Sequence, residues 1–366
     1  TKKNQSQCKV DISAEPSEGL MYLLCKNGHY GCHNMPFSPE LTTDQLKKLL
    51  AGKNANGTPA LFMALQNGHH EAVEAFVRSV LNSSLNPKIK KELLVGNRAN
   101  GTPGLFMAFK NGHHKAIKAF VQAVLNNNCL DDSTKKELIA GKAADGTPGF
   151  FMALQNGHDE AVKTFIQTVL DSDHIDASTK KELLAGKRAD DTPGLLMAFQ
   201  YDHHEAIKKF VTTVLDTVRI DDSTKKELLA GKRADDTPGL LMAFQYGHTE
   251  AVKKFIQTVL DNQRVDDSMK KELLAGKRAD DTPGLLMAFL NGHTETVKAF
   301  VQAILDSSLN SEIKKELLTA SKDVNGRSEL SIANLMDHEE TTNTFVRVVS
   351  ESVLDQKTKD ELLKRS

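Results

Sequence analysis

The stretch Thr237-Pro238-Gly239-Leu240-Leu241-Met242-Ala243-Phe244-Gln245-Tyr246-Gly247-His248-Thr249-Glu250-Ala251-Val252-Lys253-Lys254-Phe255-Ile256-Gln257-Thr258-Val259-Leu260 reads as two helices joined by a tight turn. Threonine is a good N-cap and proline suits the first helical position, so Thr237-Pro238 opens the first helix, helix A. It runs through Leu240, Leu241, Met242, Ala243 and Phe244 and stops at Gly247-His248. Apolar residues then fall at Val252, Phe255, Ile256, Val259 and Leu260. That spacing of i, i+3, i+4, i+7 and i+8 is one buried face of helix B, with Glu250, Lys253 and Lys254 left for solvent.

The same text recurs along the chain. Thr-Pro stands at 58, 102, 147, 192, 237 and 282, and eleven residues after each Thr comes His69, His113, His158, His203, His248 or His293. The step is 44 residues once and 45 thereafter. A final copy ending in His338 has Arg327-Ser328 in place of Thr-Pro, and a degenerate first copy carries Asn27-Gly28-His29. Between helix B and the next Thr-Pro, each repeat holds a third signal set. A capping residue (Asn86, Asp131, Asp176, Asp221, Asp266, Asn310, Asp355) is followed two turns later by paired leucines such as Leu273-Leu274. A glycine (Gly96, Gly141, Gly186, Gly231, Gly276) then stops the helix. This is helix C. No segment alternates as a half-buried strand does. The expected fold class is all-α, an α-solenoid of tandem three-helix repeats, because one repeat cannot bury its own apolar stripe and must stack on its neighbours.

The run Gly146-Thr147-Pro148-Gly149-Phe150-Phe151-Met152-Ala153-Leu154-Gln155-Asn156-Gly157-His158-Asp159-Glu160-Ala161-Val162 resembles an ankyrin repeat, in which a glycine, Thr-Pro-Leu-His, two alanines and Gly-His precede an amphipathic second helix. The likeness covers most of residues 42–366 and implies a protein-binding scaffold. Three departures stand out. A residue, usually glycine, is inserted after the proline, the helix A histidine is missing, and the period exceeds the usual 33 by about the length of helix C. Helix C falls where an ankyrin repeat has its hairpin finger. Long, near-identical repeats also look like those of ankyrin-bearing effectors that Gram-negative pathogens secrete. That likeness implies a host cytosolic partner. Residues 1–41 read as a divergent cap or junction and 42–366 as the repeat array, the last repeat closing it.

Charged residues nearly balance, with a net charge of −1, so there is no electrostatic footprint for nucleic acid. No apolar run reaches 18 residues, so membrane insertion is not expected. Cys8, Cys25, Cys32 and Cys129 make no disulfide framework, which suits a reducing, cytosolic environment. The start at Thr1 suggests a piece of a longer protein. An alternative function follows from that: the substrate-recruiting arm of an effector enzyme whose catalytic domain lies upstream.

No catalytic constellation, cofactor or metal site is expected. The histidine column is read as turn histidines bonded to backbone between helices A and B, since repeats about 8–10 Å apart cannot share a metal at about 2 Å. Cys25, His29, Cys32 and His33 have ligand chemistry at compact spacing, C-x3-H-x2-C-H, but the spacing fits no standard zinc pattern and His29 already belongs to the turn. Lys187, Lys232 and Lys277 each begin the string Lys-Arg-Ala-Asp-Asp-Thr-Pro-Gly-Leu-Leu-Met-Ala-Phe. Arg188, Arg233 and Arg278 are expected to form one ladder and Asp191, Asp236 and Asp281 another, as an ion-pair network between repeats or a charged docking edge. The candidate centre for partner binding is the end of helix A. There Tyr201 and Tyr246 stand where most repeats have Asn, flanked by Gln200, Gln245 and His204, and tyrosine is enriched at binding hot spots. The expected species is a monomer.

Overall fold

The computed structural model describes residues 20–28, 42–319, 336 and 338–363. Among them are twenty-two helices and no strand. The fold is an all-α solenoid of three-helix repeats. Helix A is short and buried nearly all round, as in Gly239–Tyr246, where Leu240, Leu241, Met242, Ala243 and Phe244 all lie inside. Helix B is amphipathic: in Thr249–Asp261 the inward residues are Ala251, Val252, Phe255, Ile256 and Val259. Helix C is capped as the sequence indicates. The Asn86 and Asn310 side chains and the Asp131, Asp221 and Asp266 carboxylates each accept the backbone N–H three residues on, at 2.7–2.9 Å. Its closing glycine column sits in the left-handed region, Gly96 at φ 53° and Gly276 at φ 52°.

Two compact units divide the chain. One holds the described residues up to Ala153 together with Gln167–Leu183. In it helix A Ala60–Gln66 packs between Leu20–Asn27 and Gly104–Lys110, helix B His70–Asn82 on His114–Leu125, and helix C Pro87–Val95 on Asp132–Ala140. The other holds Leu154–Ile166 and the described residues from Leu184 on. There the A helices Gly194–Gln200, Gly239–Tyr246 and Gly284–Leu290 stack in series. So do the B helices His204–Asp216, Thr249–Asp261, Thr294–Asp306 and Glu339–Glu351. The C helices Asp222–Ala230, Asp267–Ala275, Ser311–Leu318 and Gln356–Leu362 do likewise. The stacks are tied by edge-to-face phenylalanines, each helix A ring meeting the helix B ring of the following repeat. Phe199–Phe255, Phe244–Phe300 and Phe289–Phe345 have centroids 5.1–5.4 Å apart.

Helix A starts one residue later than the sequence suggests. Proline is its N-cap rather than its first residue (Pro238, φ −79°, ψ 154°), and the threonine lies outside the helix. The cause is the turn upstream. The Arg233 N–H donates to the Thr237 carbonyl at 3.1 Å and the Thr237 N–H donates to the Asp235 carboxylate at 3.0 Å, which holds Thr237 and Pro238 extended. The same closure recurs at Arg98–Thr102, Arg188–Thr192 and Arg278–Thr282. A tight turn therefore survives beside helix C, though helix C occupies the connection. The inserted glycine, now the first helical residue, has a packing cause. A Cβ on Gly239 would lie 2.5 Å from the Phe199 ring of the preceding repeat, and on Gly284 2.3 Å from that of Phe244. Cys25 stands in the degenerate repeat where Leu65, Phe109, Phe199 and Phe244 stand later, three residues before the turn glycine. It is buried there at 3% exposure, which gives this cysteine a core position. His29, Cys32 and His33 lie outside the described residues.

Candidate interaction surface

The Gly-His turn after helix A is the joint between repeats. The histidine does not bond within its own repeat, as the sequence suggests; its Nε2–H donates to the end of the preceding helix A. His69 reaches the Lys26 carbonyl at 3.0 Å, His113 that of Gln66 at 2.9 Å, His203 that of Gln155 at 2.8 Å, and His248 that of Gln200 at 2.9 Å. His293 reaches Gln245 at 3.0 Å. These carbonyls are the orphans every helix C-terminus leaves. The ring lies flat against the glycine of the preceding turn: a Cβ on Gly68 would sit 2.7 Å from His113 Nδ1. At Gly68 glycine is thus favoured twice, for its positive φ (73°) and for the space.

In two repeats the asparagine of the turn shares this work, whereas Asn291 Nδ2 donates to the Met287 carbonyl of its own helix at 2.7 Å. Asn67 Nδ2 donates to the Lys26 carbonyl at 3.2 Å and Asn111 Nδ2 to that of Gln66 at 3.0 Å, the same acceptors the histidines use. Tyr201 and Tyr246 occupy the asparagine position in two successive repeats and carry no amide to replace it. Instead they lean over their own turn histidines, with ring centroids 6.2 Å from His203 and 5.8 Å from His248, and stay 49% and 47% exposed. Gln200 and Gln245 give their carbonyls to the joint while their side chains are half-buried at its edge. His204, also half-buried, has Nδ1 3.2 Å from the Asp202 carbonyl.

Asp202 replaces the turn glycine at this place. It holds φ 57°, and its carboxylate accepts the Ala251 N–H at 3.1 Å, capping helix B of the following repeat. The local surface thus departs from the common pattern at two adjacent residues, Tyr201 and Asp202. A column-by-column reading of the repeats shows the Gly-to-Asp exchange, yet its capping role needs the neighbouring repeat's position.

The arginines are elsewhere. Arg188 precedes helix A Gly194–Gln200 and Tyr201 follows it, so the two lie at opposite ends of a seven-residue helix, about 10 Å at 1.5 Å per residue. Each arginine faces carboxylates of its own turn, and Arg278 of the next repeat also helps to lower Asp235. Arg188 pairs within its own turn with Asp190 at 3.8 Å, and Arg233 with Asp235 at 4.0 Å. Asp191, Asp236 and Asp281 instead hold positive φ, 60°, 59° and 62°, where other repeats have Gly57, Gly101 and Gly146. The N–H groups of Thr192 and Thr237 hold Asp190 and Asp235 below the ordinary carboxylate range, and the Thr282 hydroxyl and N–H do so for Asp280.

A ladder of ion pairs between repeats runs along helix C, and the Lys-Lys-Glu-Leu string encodes it. The second lysine pairs with the glutamate one repeat on: Lys91–Glu137 and Lys136–Glu182 in one unit, Lys226–Glu272, Lys271–Glu316 and Lys315–Glu361 in the other. The first lysine is buried. Lys90, Lys180, Lys225, Lys270 and Lys314 send Nζ to the last carbonyls of their own helix B, those of Leu81, Leu170, Leu215, Leu260 and Leu305, at 2.7–3.3 Å. A cation at a helix C-terminus complements the dipole and satisfies an orphan acceptor.

Among the described residues no group of three or more His, Cys, Asp or Glu is placed to hold a metal, and no helix is long and apolar enough to cross a membrane. Taken together, the joints, ladders and buried lysines define a repeat solenoid whose recurring polar residues are occupied in holding repeats together. No family model and no curated protein matches the sequence. Among solved structures, an ankyrin repeat domain from Acinetobacter baumannii AYE is similar over 67% of this chain and 96% of its own length, at 16% identity and a TM-score of 0.41.

Proposed function

We propose that this chain is a non-catalytic scaffold that binds a protein partner through the edge formed by the turns between helices A and B, centred on Tyr201 and Tyr246. The observation that carries this reading is the exchange of a bonded asparagine for a half-exposed tyrosine in two successive repeats. It forgoes the bond between repeats that Asn67 and Asn111 make and gains an aromatic surface. Aromatic anchors beside half-buried polar groups such as Gln200, Gln245 and His204 are the usual composition of a binding centre. The resemblance of the long repeats to secreted bacterial effectors extends the reading to a host cytosolic protein, met by a monomeric chain.

The test begins with a partner captured from host cytosol and titrated against purified variants. Tyr201→Ala with Tyr246→Ala should weaken binding by about 2 kcal/mol or more while helicity is unchanged. Unchanged affinity in that double variant, with binding abolished in Arg188→Ala plus Arg233→Ala, would move the site to the opposite end of helix A.

A further inference from the structure

A second surface lies in the unit that contains the first repeats, on the outer faces of helices His70–Asn82 and His114–Leu125. Between them runs a groove of ≈530 Å³. Its first wall is neutralised from within: Arg78 pairs with Glu74 at 2.6 Å. Its second wall carries Lys115 and Lys118, one helical turn apart and both exposed, and neither makes an ion pair or hydrogen bond among the described residues. Asn82 and Asn126 line its far end with amide groups.

Lys115 breaks the rule of the array, while Lys118 keeps the lysine that most repeats carry at its place. Every other helix B among the described residues has an acid in its first turn, Glu71, Glu160, Glu205, Glu250, Glu295 or Glu340 among them; His114–Leu125 has none. Those acids favour the helix N-terminus, and two of them also pair with the next repeat, Glu160 with Lys209 and Glu205 with Lys254. Lys115 replaces that glutamate with the opposite charge, against the dipole and without a counter-ion among the described residues.

We infer that the groove between these two B helices binds an acidic peptide segment of a partner protein, with Lys115 and Lys118 as its charged wall. Carboxylates spaced along an extended peptide would meet the two ammonium groups, while the amides at the groove's end serve its backbone. Electrostatic complementarity of this kind sets encounter rate and orientation and weakens with salt. The surface is independent of the tyrosine edge, and the probe below does not involve that edge.

The probe is a short fluorescent oligo-glutamate peptide, followed by anisotropy with the full chain. Saturable binding is expected at low salt, falling as salt is raised to about 0.3 M. Lys115→Glu with Lys118→Glu should cost at least about tenfold in affinity. Lys115→Glu restores the residue type of the other repeats, so the variant should melt no lower than the parent. Lys298→Glu, the Lys118 position of a distant repeat, should bind the peptide as the parent does. Absence of saturable binding, an unchanged double variant, or equal loss in Lys298→Glu would overturn the inference. So would single-stranded RNA of the same length competing as well as the peptide, since the groove would then be a general polyanion patch.

Discussion

Asp236 holds φ 59°, where the side chain of an L-residue crowds its own backbone. Aspartate tolerates this better than most residues, and glycine tolerates it freely, as Gly146 does in the same column at φ 80°. Asp236→Gly is therefore expected to stabilise the protein by a few tenths to about 1 kcal/mol, and Asp236→Val to destabilise it by about 1–2 kcal/mol. Urea unfolding of the two variants checks both signs. Both substitutions also remove the ion pair between the Asp236 carboxylate and Lys232, but at 3.9 Å and in solvent it is too weak to reverse them. Lys270 poses the opposite case. Its ammonium is buried at 6% exposure on the Leu260 carbonyl, so Lys270→Met keeps the stem's volume but orphans an acceptor at the end of helix B. The expected cost is about 1–3 kcal/mol, read by the same unfolding experiment.

Helix C is only eight or nine residues long in most repeats and depends on its caps. Asn310→Ala removes the acceptor for the Ile313 N–H and should cost about 1 kcal/mol, seen as a lower urea midpoint. The caps also make the array acid-sensitive. The Thr134 and Thr179 N–H groups hold Asp131 and Asp176 below their ordinary value of 3.8, and the Thr358 hydroxyl and N–H do the same for Asp355. Asp190, Asp235 and Asp280 are lowered in the turns. A carboxyl lowered on folding binds fewer protons in the native state, so its contribution is complete above the unfolded value and is lost as pH falls through the folded one. Thermal melts should be flat from neutral pH to about 5 and then fall progressively below about 4. Melts that hold steady down to pH 2 would contradict the capping account. Caps and stops of helix C were legible in the sequence because each is local: a cap bond spans three residues, and a stop is a single glycine in the left-handed region. The paired leucines were legible too. The role of the Lys-Lys doublet was not, since its two identical residues part company only when helix B ends beside one and the next repeat lies beside the other.

At the scale of each unit, stability is shared between neighbours. Phe255 meets Phe199 of the preceding repeat and is buried at 1%, so Phe255→Ala should cost about 3–5 kcal/mol. Amide exchange is expected to quicken in the repeats on either side of it, within residues 194–306, before it quickens near His338. Uniform acceleration along the whole unit would mean that it unfolds as one block. The period, the helix count per repeat and the all-α class were readable because they follow from residues that recur. The tyrosine edge was readable because Tyr201 and Tyr246 break a column. The direction of the histidine bond was not, since an imidazole three residues from a helix end can serve its own repeat or the one before. Asp202 escaped for the same reason: its partner, the Ala251 N–H, lies 49 residues away.

One consequence of the Gly-His joint concerns heredity rather than folding. Each joint puts an imidazole on the last carbonyl of the preceding helix A, and all but one seat it on a glycine, Asp202 being the exception, so a repeat can leave with little to mend. Excising residues 233–277 would join Lys232 to Arg278 and regenerate the string Lys-Arg-Ala-Asp-Asp-Thr-Pro without a scar. The shortened chain should fold with His293 on the Gln200 carbonyl. It would also lose Tyr246 and set Tyr201 beside Asn291. Gain or loss of a single repeat thereby rewrites the exposed edge while sparing the core, so that the proposed binding face can change in one step.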